Sequence, residues 1–269
     1  KYEFRSSARL FLSAYCSFAA LLVIDRLSIF GLTVLDDTDL EFAKILSAGS
    51  VFMLCFLTVL AVFALFCLPL LFSAIRFYRS TATDEGYLTF TLPVKTEQVI
   101  FSKLLVALIW EAATALLAIV LGVLFFMSFD VRSTLEVLQL FPESFFRNIS
   151  EYPFWGACFA EFLVALPLCA ARGFLQSYSA ISIGQACGRH KLPASIGIYI
   201  GMQFAVSFLS QMLTVPVMFA SFCSTDTSPR VLQDTFFLSM ALNLLLIAGL
   251  LVVQFLLCRY FLKKKLNLS

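Results

Sequence analysis

The chain has 269 residues, of which 61% are hydrophobic and 13% charged, with a mean hydropathy of +0.93 and a formal net charge of +2. Soluble domains run at about 45–50% apolar and ~25% charged, so a single water-soluble core is excluded. The bilayer must be the solvent for most of this surface.

The opening KYEFRSSARLFLSAYC is basic and then apolar, as a signal peptide would be. Its apolar stretch continues past Val23 with no small-residue cleavage site. It therefore reads as an amphipathic, interfacial N-terminal helix that enters a retained first span. Apolar runs long enough for ~20-residue spans fall at about 10–35, 43–73, 101–129, 153–178, 193–221 and 235–259. The expected fold is an all-α polytopic membrane protein with six transmembrane helices, forming one transmembrane domain over residues 1–269. Asp25 and Arg26 interrupt the first span, and the second and third are long enough to tilt or to project into water.

Basic residues set the expected orientation. Fourteen of the 19 Lys and Arg residues lie on the side of the termini and of the connections after spans two and four. The other side holds Lys44, Arg132, Arg147 and Arg230, and Arg26 lies within a span. The positive-inside rule then places both termini in the cytoplasm.

The connection from Arg76 to Leu105 is far longer than the ~2–8 residues that join neighbouring helices. Thr83 suits a helix N-cap, and Asp84 and Glu85 follow in the first turn, where acids favour the helix dipole. Tyr87, Leu88 and Phe90 offer apolar contacts for a groove, Gly86 allows close backbone approach, and Pro93 ends the unit. Thr96 then reads as the cap of the third span. Such a run looks like a cytoplasmic coupling helix between spans two and three, and a docking element implies a partner.

Between spans three and four, STLEVLQLF and ESFFRNI are divided by Pro142 and read as two small amphipathic helices on the outer surface. Within the spans, ionisable residues cost ~2.5–3.5 kcal/mol each and call for partners. Glu111 and Arg172 lie at comparable depth, as do Arg26 and Glu161. The expected pairs are Glu111–Arg172 and Arg26–Glu161, with Asp25 competing for Arg26. They act either as glue between helices or, for Glu111 or Glu161, as groups facing a transport path. Span five carries Gly197, Gly201 and Ala205 at four-residue spacing, a small-residue face for a subunit interface or for packing within the protomer. Pro216 is placed to kink the outer end of that helix. Gln203, Ser207 and Gln211 are candidates for the substrate path, and the 31 Phe residues suit a lipid-facing surface.

Eight cysteines are scattered singly and His190 stands alone, so no Cys/His metal set is expected. The chain has no HExxH, GxSxG or GxxxxGK[ST] motif, so neither a catalytic residue nor a nucleotide loop is expected. Two long cytoplasmic connections without a catalytic domain fit a permease better than an enzyme.

TDEGYLTFTLP at 83–93, followed by FSKLL at 101–105, resembles the membrane subunit of bacterial ABC transporters, in the type-two exporter permease class. SYSAISIGQACGRHKLPASIGIYIG at 177–201 and the KKKLNLS end are similar to members of that class in Gram-positive, clostridium-like bacteria. The resemblance implies a permease subunit in the bacterial cytoplasmic membrane that pairs with a second permease copy or a paralogue. It also implies two copies of a separate ATPase subunit, which hold the ATP and Mg, while this chain carries no cofactor. Asp84, Glu85, Gly86, Tyr87 and Leu88 match the position of the family's coupling helix, and Tyr2 to Leu10 matches its amphipathic connecting helix. The implied cargo is an amphipathic or hydrophobic substrate, with a peptide as the first reading. The other expected partner is membrane lipid; nucleic acid is not expected. Related exporters often place re-entrant helices between spans five and six, and SFCSTDTSPRVLQ departs from that pattern in being too polar and short. A membrane sensor or immunity protein that binds a peptide or lipid without transporting it remains the alternative.

Overall fold

The computed structural model describes residues 2–36, 41–82, 95–129, 131–187, 191–223 and 228–266. Among these, helices are the only regular elements: α1 (Tyr2–Asp36), α2 (Glu41–Ala82), α3 (Thr96–Phe129), α4 (Val131–Glu151), α5 (Pro153–Gly184), α6 (Lys191–Cys223) and α7 (Pro229–Leu266). Six of them contain stretches long and apolar enough to cross a membrane: Phe11–Gly31, Gly49–Thr81, Thr96–Met127, Phe154–Gly184, Lys191–Ala220 and Val231–Lys263. In a helix every backbone amide and carbonyl bonds within its own segment, which is what a hydrocarbon solvent demands. The chain is thus an all-α polytopic membrane protein.

Four local expectations need revision. The N-terminal segment and the first span form one helix, and Asp25 and Arg26 do not break it. Their cost falls on side chains, and Asp25 is buried with its Oδ2 accepting a hydrogen bond from the Thr58 hydroxyl. α2 continues to Ala82, so Arg76 and Arg79 belong to the helix rather than to the connection. Phe77, fully buried between them, anchors that extension in a core. At 42 residues α2 is about 60 Å long, twice the ~30 Å hydrocarbon thickness. At the start of α3 the cap is Lys95, not Thr96: its carbonyl accepts from the amides of Gln98 (2.9 Å) and Val99 (3.4 Å).

The fourth revision concerns α4, which is a single helix with Pro142 inside it. Proline removes one backbone hydrogen bond. The side-chain pattern nevertheless favours continuity, because Val131, Leu135, Leu138, Pro142, Phe145 and Ile149 fall on one stripe at helical spacing. Arg132, Glu136, Glu143 and Arg147 fall opposite, with Arg132 Nε 3.3 Å from Glu136 Oε1 one turn away. Two helices broken at Pro142 would lose that common stripe. The connection between α6 and α7, positions 224–228, is short, in keeping with the departure from a re-entrant pair.

The chain divides into two compact units, Lys1–Pro69 with Ile109–Arg147, and Leu70–Leu108 with Asn148–Ser269. In the first, Phe18 and Leu22 of α1 pack with Leu65 of α2 and Leu121 of α3. Phe11 stacks on Trp110 with ring centroids 4.4 Å apart, and the Tyr15 and Thr114 hydroxyls are 2.7 Å apart. In the second, α5, α6 and α7 pack on one another. Phe77 of α2, Ile100 and Leu104 of α3, Phe174 and Tyr178 of α5 and Leu262 of α7 close its core. Large side chains such as Phe52, Phe63, Phe204 and Phe208 stay exposed, as expected where lipid is the solvent.

Candidate functional site

The second unit gathers its polar side chains where α2 and α5 finish and α3 and α6 begin. Arg76, Arg79, Lys95, Lys103 and Lys191 make this its basic end. Its centre is the last part of α5, where every residue from Phe174 to Ser182 is buried. A helix buried all round is usually apolar all round. This one carries Gln176, Ser177, Ser179 and Ser182.

Each of these polar groups has a partner. The hydroxyls of Ser177, Ser179 and Ser182 donate to carbonyls one turn back, at Phe174 (2.7 Å), Gln176 (2.9 Å) and Tyr178 (2.8 Å). The small serines also let other helices approach closely, and Ser182 Oγ lies 3.4 Å from Cys258 Sγ on α7. Gln176 links two helices: its Oε1 accepts from Arg172 Nη1 at 3.2 Å, and its Nε2 donates to Gln203 Oε1 of α6 at 3.0 Å. Gln185 Nε2 donates to Thr81 Oγ1 of α2 at 2.9 Å. At the surface of this end, Arg259 Nη2 meets Glu97 Oε1 at 2.9 Å. Both side chains are more than a third exposed, so this ion pair adds at most about 1 kcal/mol.

The turn after α5 brings backbone against backbone. A Cβ built on Gly184 would lie 2.8 Å from both Cα and N of Ser195, in the first turns of α6. Between α2 and α6, with α5 as its floor, runs a groove of about 450 Å³ lined by residues such as Leu71, Ala74, Ile75, Ile181, Ile196 and Tyr199. Its walls are almost wholly apolar. Ser177 and Ser195 lie along it, but their hydroxyls are turned onto carbonyls of their own helices.

The residues singled out in the sequence fall out as follows. Asp84, Glu85, Gly86, Tyr87 and Leu88 lie outside the described residues. Arg26 and Glu111 belong to the first unit, Arg172 and Glu161 to the second. Arg26 Nη1 donates to the Met127 carbonyl of α3 at 3.2 Å, while its neighbour Asp25 bonds Thr58 of α2. Arg172 bonds Gln176 on its own helix. Both carboxylate oxygens of Glu161 are buried without a hydrogen-bond partner among the described residues. Gly197, Gly201 and Ala205 are exposed, and a methyl group added at either glycine would meet nothing within 4 Å. Among the described residues of the second unit, nothing packs on that face. Gln203 joins the Gln176 network, whereas Ser207 and Gln211 are exposed further along α6.

Two polar features escaped the sequence. Asn243 of α7 accepts from Ser210 Oγ at 2.5 Å and donates to Thr214 Oγ1 at 2.8 Å, tying α7 to α6. Ser210 and Thr214, one turn apart opposite a lone mid-span Asn, were the available signal. Gln254 is 1% exposed, and neither of its amide atoms has a partner among the described residues. An unsatisfied buried polar group costs ~1–3 kcal/mol, so Gln254→Met, similar in shape, is expected to raise the melting temperature of the purified chain. A marked fall would show that the amide is bonded after all.

Fold and site together define a multi-pass helical membrane protein with a polar seam and an apolar groove at one end of its second unit. Comparison with known families, with characterised proteins and with solved structures gives no match for this chain.

Proposed function

We propose that this chain is the permease subunit of an ABC exporter, moving an amphipathic or hydrophobic substrate, a peptide in the first instance, out of a bacterial cell. The observation that carries the reading is the run Thr83–Pro93, which resembles the coupling element of type-two exporters and follows directly on the end of α2. α2 and α3, which flank that run, both contain membrane-spanning stretches. A push on the Asp84–Leu92 element would thus be delivered to two spans without an intervening domain.

In this reading both termini and the coupling run face the cytoplasm. Two copies of a separate ATPase subunit bind the ATP and Mg and supply the driving reaction. This chain's own part is to receive that motion through Asp84, Glu85, Gly86, Tyr87 and Leu88. A second permease copy or a paralogue completes the path, and the open Gly197–Gly201–Ala205 face of α6 is consistent with such a neighbour. Gln203, Ser207 and Gln211, exposed along α6, are the polar groups a substrate would meet first.

The test is whether a neighbouring gene encodes an ABC ATPase and, where it does, co-expression with that ATPase. The two proteins are expected to co-purify, and Tyr87→Ala or Glu85→Ala to abolish most of the ATPase activity that the permease stimulates. A chain that keeps its full cellular activity in the absence of any ATPase would overturn the proposal. That outcome would favour the second reading, a membrane sensor or immunity protein, for which the apolar groove offers a binding place without transport.

A further inference from the structure

The groove between α2 and α6 faces a solvent of lipid, and a bilayer does not leave such a cleft empty. At about 450 Å³ it falls within the ~300–1,000 Å³ range of small-ligand sites. Its wall is apolar almost throughout, and Ser177 and Ser195 spend their hydroxyls on the Phe174 and Lys191 carbonyls. What fits is a hydrocarbon chain.

The two ends of the groove differ. α2 runs toward the basic end of the unit and α6 runs away from it. Arg79 lies one turn beyond the lining residue Ile75, and Lys191 lies one turn before the lining residue Ser195. Both cations thus stand at the same end of the groove, one on each wall. Arg79 is exposed and Lys191 is half-buried at the first position of α6, where the helix dipole adds to its charge. An apolar slot with a cation near one end on each wall is complementary to an amphiphile with a hydrocarbon tail and an anionic head.

We propose that this groove holds one acyl chain of an anionic phospholipid, whose phosphate sits between Arg79 and Lys191. The inference is independent of the transport reading, since it needs neither an ATPase nor a substrate. The lipid occupies the space between α2 and α6, over α5. The site would make the packing of α6 depend on the lipid composition of one leaflet.

The test uses the full chain in nanodiscs, with Tyr199→Trp as reporter in a Trp110→Phe, Trp155→Phe background. Brominated phosphatidylglycerol and brominated phosphatidylcholine are titrated separately over the same range of mole fraction. A basic residue near the surface favours an anionic lipid by about fivefold (~1 kcal/mol), so phosphatidylglycerol is expected to quench at no more than about one-fifth of the mole fraction that phosphatidylcholine requires. Arg79→Gln with Lys191→Gln is expected to bring the two lipids to parity. Ala74→Phe, which fills the groove, is expected to weaken quenching by both while the helical circular dichroism is kept. Equal quenching by the two lipids in the native-charge reporter chain overturns the proposal, as does a preference that survives the double charge substitution. A groove covered by a second copy would be quenched in nanodiscs holding one chain and shielded in those holding two, and that result also overturns it.

Discussion

Gly184→Ala is expected to cost ~1–3 kcal/mol or more of stability, the range for overpacking a site that cannot yield. Two effects oppose each other here. Gly184 ends α5, and the chain has no residue at positive φ among those described, so alanine is conformationally acceptable. On helix propensity alone it would gain up to about 1 kcal/mol. Against this, the new methyl would meet Cα and N of Ser195 at 2.8 Å. Those are backbone atoms, so no side-chain rotation relieves the contact, and the first turn of α6 must move away. Clash wins over propensity. Thermal unfolding of the purified chain in detergent should show a lowered transition, with Gly249→Ala as control because a methyl there meets nothing within 4 Å. A Gly184→Ala protein that melts at or above the parent temperature would refute the close approach of α5 and α6.

The second large effect is expected at Tyr178. Its ring is 1% exposed and stacks on Phe77 at a centroid distance of 4.3 Å and an interplanar angle of 13°. Around that pair lie Ile100 and Leu104 of α3 and Leu262 of α7, so the ring fills the point where four helices of the second unit meet. Transfer from lipid to protein interior supplies little driving force, since lipid tails are as apolar as a leucine side chain. Packing does not scale with that difference. A cavity left by Tyr178→Ala forfeits dispersion contacts on every side, and removal of a buried aromatic ring costs ~3–5 kcal/mol in well-packed cores. Tyr178→Phe keeps the stack and is expected to lose far less. Unfolding of both variants in mixed micelles is the measurement. Should alanine and phenylalanine prove equally stable, the Phe77–Tyr178 stack is not the keystone of this core.

The spans were legible because bilayer thickness imposes one length on every crossing helix, so six apolar runs could be read without knowing any contact. Their ends were less so. Ser73 to Ala82 looks polar and textured, yet Phe77, with Ala74 and Tyr78 packed beside it, commits it to helix by entering a core assembled from α3, α5 and α7. Pro142 carried a strong local signal for a break, and a stripe of six residues over the whole of α4 outweighed it. Depth in the membrane could be estimated for Arg26 and Arg172, but depth does not say which atom a guanidinium finds. Arg26 reaches a backbone carbonyl, which leaves no periodic trace, and Arg172 a glutamine one turn on along its own helix rather than an acid on another. The apolar groove was invisible for the same reason. It is built from α2 and the distant pair α5 and α6, and each of its walls reads alone as ordinary lipid-facing surface.

The serine-rich seam of α5 also has a consequence in time. As the chain is synthesised, α5 enters the membrane well before α7 exists, and its second half carries Arg172 and Gln176 among its apolar residues, with Gln185 at its cap. The serines can turn their hydroxyls inward at once, since those bonds lie within the helix. Gln176 must wait for Gln203 of α6, and the face around Ser182 for Cys258 near the end of the chain. Assembly of the second unit is therefore ordered by translation: a helix with self-satisfied serines first, its Gln176 amide answered by α6, and its last face sealed only when α7 arrives.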